Sequence, residues 1–474
     1  MKDALNRSGS AGKKQTEKTY NLDFPENHPS DEASMARARR ARLWPPREVE
    51  AAKRWVEEPL AAALEKAAAG DRRTLIVLHG PRGAGFPEVF AQVLPGVSSA
   101  NLDDEHARLD AEDAPVGFLE RHEDVSVLLL RNVHRAPRFL SYLLETAGSP
   151  HSSAPRRGPK TIVVSATADV PLLSEQPDNP YVVRLRLRTL AQGELTGINA
   201  DFPERLTVLD FPAQLSYDES NRDLALEIAM HGGYPVGRLG TADQRHDFFH
   251  DLIRKVCAAD LKTVSSVKNQ MTLRKVYRMV GAASGEVLNY TKIAETLDIG
   301  RPLVRRCVEA LEALYLIEPI AVWPQAEAFE RSVRSERYVV TDSGWLCGLL
   351  GFCDVDPCTL PEGSFGIVRR LIAGWTWAQF AAMTDNRDDW KLWQFALRTG
   401  VSVELLLENQ RTGTLLAIET SPRERDCAED FANLNKFRSL VPDRDVRCLR
   451  LYCGQSVQRF DGIGTAVPLA FLWR

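Results

Sequence analysis

An apolar run beginning at Thr74 leads straight into a glycine-rich turn, TLIVLHGPRGAG, with glycine at positions 80, 83 and 85. Few local patterns narrow the choice of fold so far. The consecutive aliphatic residues Leu75 to Leu78 suit a strand buried on both faces, which belongs in a parallel sheet covered by helices. A glycine-rich turn after such a strand and ahead of a helix is where backbone N–H groups and a helix N-terminus can surround phosphate. A working loop of this kind continues with Lys, which neutralises phosphate charge, and with Ser or Thr, whose hydroxyl holds Mg²⁺. Here those two positions are Phe86 and Pro87. The cation and the hydroxyl are both missing, and Pro87 also lacks a backbone donor. Arg82 lies inside the loop but would have to fold back to substitute. Gly80, Pro81, Arg82, Gly83, Ala84 and Gly85 are therefore the candidate residues of a relic phosphate loop. From local chemistry alone, a Rossmann-like turn that never held a nucleotide is the competing reading.

Other strand-like runs follow: Ser126–Val133, Thr161–Thr167 and Tyr181–Leu187, separated by helical stretches. This alternation predicts an open α/β domain. The metal-binding partner motif of a nucleotide site would be an apolar strand ending in Asp-Glu. The best candidate, VLLLRNVHRAP, ends instead in Arg131 and Asn132.

At 474 residues the chain is too long for one ordinary core. The expected organisation is a disordered tail over 1–43, a P-loop-like parallel-sheet domain over 44–230, a helical and winged-helix domain over 231–345, and an α/β module over 360–474. A helix is expected from near Pro46 to just before Gly70. The basic run MARARRARLW, Met35 to Trp44, reads as a solvated helix start. A formal net charge of −4 and a pI near 6.2 give no overall nucleic-acid signal. No apolar run is long enough to span a membrane, and the polar N-terminus lacks a signal-peptide core. A cytoplasmic location is the expectation, with no membrane partner. The eight cysteines form no C-x-x-C pair, so isolated reduced thiols are expected and no metal site.

In the middle of the chain NYTKIAETL, DIG and RPLVRRCVEALEALYL read as helix, turn and helix, with Leu316 to Trp323 and Arg334 to Asp342 as strands of a wing. Arg301, Arg305 and Arg306 open the second helix, where such folds meet the major groove; they are the candidate DNA-contacting residues, against a plain packing module. In the last part, helical first and then strand-rich, VSVELLLENQ, GTLLAIETS, RCLRLYC and AVPLAFLW read as strands. Glu404 and Glu419 lie on adjacent ones. Paired strand carboxylates can hold Mg²⁺ for phosphodiester hydrolysis, but Ser421 stands where an assisting Lys belongs.

The order of these motifs resembles the bacterial and archaeal AAA-type P-loop ATPases that carry a winged helix and a C-terminal restriction-endonuclease-like domain of unknown function. The similarity spans Trp44 to Trp473. It is carried by GPRGAG, NLDDEHARLDAED, LRNVHRAP, TIVVSAT with Ser165 at the sensor position, LRLRTLAQGEL, GGYPVGRL, LNYTKIAETLDIGRPLVRRCVEALEALYLIEPI and RYVVTDSGW. The resemblance implies ATP binding. The departures fall at Phe86, Pro87, Arg131, Asn132, Ser402, Ser421 and Gly366, where the family carries ionic or hydroxyl groups or a different acid. The chain therefore reads as a degenerate member, a scaffold or regulatory partner of protein or nucleic acid, with no catalytic residue and no cofactor expected. Its alternatives are an ATPase completed in a homo-oligomer and a DNA-binding regulator acting through the winged helix.

Overall fold

The computed structural model describes residues 52–149, 158–174, 179–235, 238, 242–333, 335, 337–351 and 365–474. The chain divides into Met1–Pro45 and Pro46–Arg474. The expected tail, the basic run and the start of the helix expected from Pro46 lie outside the described residues, as do Cys353 and Cys358.

Five parallel strands build the first sheet: β1 (Thr74–His79), β2 (Ser99–Asn101), β3 (Val127–Arg131), β4 (Thr161–Ala166) and β5 (Val182–Arg186). Their order is β2-β3-β4-β1-β5, so β1 lies between β4 and β5. Continuous aliphatic runs were required because both faces are covered. Leu75, Val77, Leu128, Leu130, Ile162 and Val164 pack on one side with Phe139 and Leu140. Ile76, Leu78, Leu129 and Val163 pack on the other with Leu60, Phe86 and Phe90. Strand β2 has no apolar run and escaped sequence reading; pairing with β3 holds it.

Helix α1 covers Glu57–Ala69, with Gly70 just past its end. Ala52 to Val56 are not helical, although the periodicity predicted a helix from near Pro46. Tertiary contacts override it: Arg54 and Trp55 are tied to Glu194, 140 and 139 residues away. Helix α2 (Phe86–Val93) starts directly after the glycine-rich turn, with Gly85 at φ 104°. Only glycine takes that conformation without strain.

Beyond the sheet domain the chain is mainly helical. Helix α3 (Ala242–Ala259) is followed through Asp260 by the short α4 (Leu261–Val264). Helices α5 (Gln270–Ala282), α6 (Tyr290–Leu297) and α7 (Arg301–Ala313) then pack together. The side chain of Asn289 caps α6, and Asp298 turns the chain in the left-handed region. Helix α7 stops at Ala313 rather than continuing to Leu316, because Tyr315 takes φ 58°. Strands β6 (Glu286–Val287), β7 (Ile317–Ile320) and β8 (Arg337–Val340) form a small antiparallel sheet.

The connection between β7 and β8 does not project into solvent. Trp323 is 1% exposed and packs with Phe395 and Phe437 of the C-terminal core. Its backbone N–H donates to Gln394 O at 2.9 Å, and Val333 N–H donates to Ala396 O at 2.8 Å. That core lies under a six-stranded sheet ordered β13-β14-β12-β11-β10-β9. Its strands are β9 (Trp390–Ala396), β10 (Ser402–Asn409), β11 (Leu415–Ser421), β12 (Val446–Tyr452), β13 (Gln458–Phe460) and β14 (Gly464–Pro468). Helix α8 (Phe365–Thr384) precedes it and α9 (Ala432–Leu440) lies between β11 and β12. The run AVPLAFLW, read as strand throughout, leaves the sheet at Pro468 and ends in a 3₁₀ turn. Among the described residues no helix is long and apolar enough to cross a membrane.

Candidate functional site

The glycine-rich turn leaves the C-terminal end of β1, where ligands bind in open α/β sheets. Gly80 is held by its N–H to Ala166 O at 3.1 Å. Phe86, in the position of a phosphate-binding lysine, is buried against Phe90 and the core on that side of the sheet. The loop is also covered from outside. Arg54, 4% exposed, donates to Ala84 O at 2.9 Å and Arg188 O at 2.6 Å, and pairs with Glu194 at 3.1 Å. The Tyr234 ring and Leu252 lie against Gly83.

Arg82 does not fold back toward the missing lysine position. Its Nε and Nη2 donate to the two carboxylate oxygens of Asp260 at 2.8 and 2.9 Å, and its Nη1 reaches Asp103 at 3.3 Å. Asp260, between α3 and α4, has no exposed surface. It heads α4 yet makes no capping hydrogen bond with its side chain. Instead the carboxylate reaches over the ends of β3 and β4. His134 Nε2 lies 3.0 Å from one oxygen, and Thr167 Oγ1 donates to the other at 3.1 Å. The Thr167 N–H directed at His134 Nδ1, 3.4 Å away, fixes the ring so that Nε2 donates to Asp260.

A second carboxylate closes the same crevice. Asp103 accepts from Arg135 Nη1 at 2.7 Å and Asn132 Nδ2 at 2.9 Å, besides Arg82. Asn132, at φ 62°, also donates its backbone N–H to Ser165 Oγ at 3.1 Å. Burial opposes ionisation of Asp260, but the hydrogen bonds from His134 and Arg82 outweigh it and hold its pKa down at about 2. Burial likewise opposes ionisation of Asp103, and Arg135 and Arg82 still lower its pKa. The crevice beyond the glycine-rich turn is thus filled by paired protein side chains. Sequence reading singled out Arg82 and Asn132 but missed Asp103, His134, Thr167 and Asp260. The Asp103 signal lay in the LDD segment; Asp260 carried none, being 178 residues from Arg82.

The remaining sites lie elsewhere. Glu404 and Glu419 stand on adjacent antiparallel strands, β10 and β11. Glu404 accepts from Thr420 N and Oγ1 at 2.9 and 2.8 Å. Glu419 accepts from Asn433 at 3.0 Å and pairs with Arg450 at 2.8 Å. Burial, only partly offset by Asn433 and Arg450, raises the pKa of Glu419. Arg450, which also pairs with Asp426 at 2.8 Å, sets a positive charge against Glu419. Arg301, Arg305 and Arg306 are all exposed on α7, whose other face buries Val304, Cys307, Val308 and Leu311. Among the described residues Cys257, Cys307, Cys427, Cys448 and Cys453 are free thiols.

Residues 222–356 match the model of a family described as a domain of unknown function, DUF8612. No curated protein matches. Among solved structures, the chain is similar to a signal transduction ATPase with numerous domains (STAND) carrying a tetratricopeptide repeat sensor, from Pyrococcus horikoshii. That similarity has 13% identity over 68% of this chain and 44% of that one, under half its length, with a TM-score of 0.24. It is also similar to a Walker-type ATPase of Pyrococcus abyssi, at 11% identity over 61% of this chain and 94% of that one, TM-score 0.34. A third is the RuvB Holliday junction branch migration motor of Thermotoga maritima, at 15% identity over 60% and 90%, TM-score 0.28. At these TM-scores the likenesses carry no assignment; this chain's own geometry is that of an α/β domain, a parallel five-stranded sheet in which β1, between β4 and β5, runs into a glycine-rich turn and a helix.

Proposed function

We propose that the chain is a catalytically degenerate relative of the AAA-type ATPases that works as a scaffold or regulatory partner. The observation that carries this reading is the buried Asp260 carboxylate bound to Arg82, His134 and Thr167 in the loop crevice. A phosphoryl-transfer site needs a cation on the phosphates and carboxylates free to hold Mg²⁺. Here the lysine position is a core phenylalanine, and both acids in the crevice are committed to protein cations. The sheet and the turn, kept from the ancestral site, now serve to hold modules together. The purified full chain is expected to hydrolyse Mg²⁺-ATP at background rate. A competent P-loop enzyme with its arginine finger exceeds ~1 per second. Turnover near ~0.1 per second that disappears in Arg82→Ala would overturn the scaffold reading; turnover that also rises with protein concentration would point to a site completed by a second copy.

The exposed arginines of α7 favour a second reading, DNA contact through this helix in a winged-helix module. Arg301 and Arg305 are one turn apart, and the helix N-terminus favours phosphate. The β7–β8 connection is docked on the C-terminal sheet, so α7 would have to act without a free wing. Replacing Arg301, Arg305 and Arg306 with alanine should weaken duplex binding and flatten its salt dependence, by about one counterion for each phosphate no longer neutralised. Duplex binding with an unchanged salt slope in the triple variant removes this face from consideration.

A further inference from the structure

We propose that the crevice beyond the glycine-rich turn is an oxyanion site whose resident ligand is the Asp260 carboxylate, tethered to the α3–α4 junction, and that the same donors take a phosphate-type oxyanion once that carboxylate is withdrawn. The site differs from a phosphate loop. It is made of side chains from the turn and from the ends of β3 and β4, not of loop backbone N–H groups. Arg82 grips both oxygens of the carboxylate in the fork geometry that guanidinium offers equally to carboxylate and phosphate. His134 and Thr167 add one donor to each oxygen. Four donor groups thus converge on an anion with no exposed surface. Arg135 and Asn132 stand just behind, on Asp103.

The tether is not explained by local structure. Asp260 is 126 residues from His134 and 93 from Thr167, so no local turn requires it there. As the first residue before a short helix it has a ready local use, capping α4, and does not take it. Its carboxylate turns to the sheet instead, and in doing so fastens the helical region to the loop. A soluble oxyanion that took its place would satisfy the same donors and free the α3–α4 junction.

Oxyanion binding at the vacated site does not depend on whether Mg²⁺-ATP is turned over, so the two tests fail separately. The experiment compares thermal unfolding of the wild-type full chain, Asp260→Ala, and Asp260→Ala combined with Arg82→Ala. Each is measured in inorganic phosphate and in chloride of matched ionic strength, without Mg²⁺. Phosphate strengthens burial generally, so the reading is the difference between variants. Asp260→Ala should gain on the order of 2 °C or more over the wild type's response, through binding to the vacated site. The double variant should lose that gain. If Asp260→Ala does not fold, Asp260→Ser, which removes the charge and still opens the site, is measured in the same way. ADP in place of phosphate separates the sources of the oxyanion: an equal gain assigns the site to free phosphate, and a larger one to the terminal phosphate of a nucleotide. A phosphate response in the single variants that matches wild type, or that persists without Arg82, overturns the proposal.

Discussion

Replacing Arg188 with alanine should destabilise the protein by about 3–5 kcal/mol, the range found when one partner of a buried ion pair is removed. Arg188 lies just beyond β5 and is 9% exposed. Its guanidinium donates to Glu318 at 2.9 and 3.0 Å and to Asp385 at 2.6 and 3.1 Å. Glu318 belongs to β7 and Asp385 follows α8, so one side chain joins the parallel sheet, the small antiparallel sheet and the C-terminal module. Trp377 stacks beneath it, 4.9 Å from the ring centroid. Truncation leaves two partly buried carboxylates facing each other across the vacated space, with Arg186, 3.2 Å from Glu318, as the remaining cation. Burial alone would push Glu318 toward its neutral form, and Arg188 is the strongest of the charges that lower its pKa instead. The deficit in the variant should therefore shrink as pH falls and Glu318 takes up its proton. Denaturant unfolding of wild type and variant at neutral and mildly acidic pH measures this. A loss below about 1 kcal/mol would mean that the clasp behaves like a surface pair.

Gly80→Ala should be at least as damaging as ordinary overpacking, which costs about 1–3 kcal/mol. A Cβ built on Gly80 would lie 1.9 Å from the carbonyl oxygen of Leu187 and 3.0 Å from its carbon. Both are main-chain atoms, so no side chain can swing away. The chain cannot shift freely either: Gly80 N–H is bound to Ala166 O, and Leu187 N–H donates to His79 O at 2.8 Å. The first glycine of the turn is thus required for the close approach of two chain segments, whether or not phosphate is ever bound. Gly374→Ala, within α8, is the control, because its Cβ would meet no atom within 4 Å. A helix-interior change of this kind should stabilise by about 0.5–1 kcal/mol. Equal effects of the two substitutions on the unfolding midpoint would contradict the steric account.

The sequence by itself determined those features whose causes lie within a few residues. Leu75–Leu78 and Thr161–Ala166 could be read as buried parallel strands because both of their faces had to be apolar. Gly85 set the entry to α2 through its left-handed backbone. Asn289 and Asp298 marked the two ends of α6, by a side-chain cap and by a residue that tolerates positive φ. The absence of lysine at Phe86 and of acids at Arg131 and Asn132 was equally plain. What filled the crevice was decided only by the tertiary structure. Asp260 looked like any acid between two helices until folding brought it 2.8 Å from Arg82. Tertiary contacts also moved the start of α1 past Arg54 and drew Trp323 out of an expected wing into the C-terminal core. Arg450 was set beside Glu419 in the same way. The physical reason is common to all four. Backbone conformation and caps depend on neighbours along the chain, whereas a buried charge or indole is placed by whichever distant group satisfies it once water is excluded.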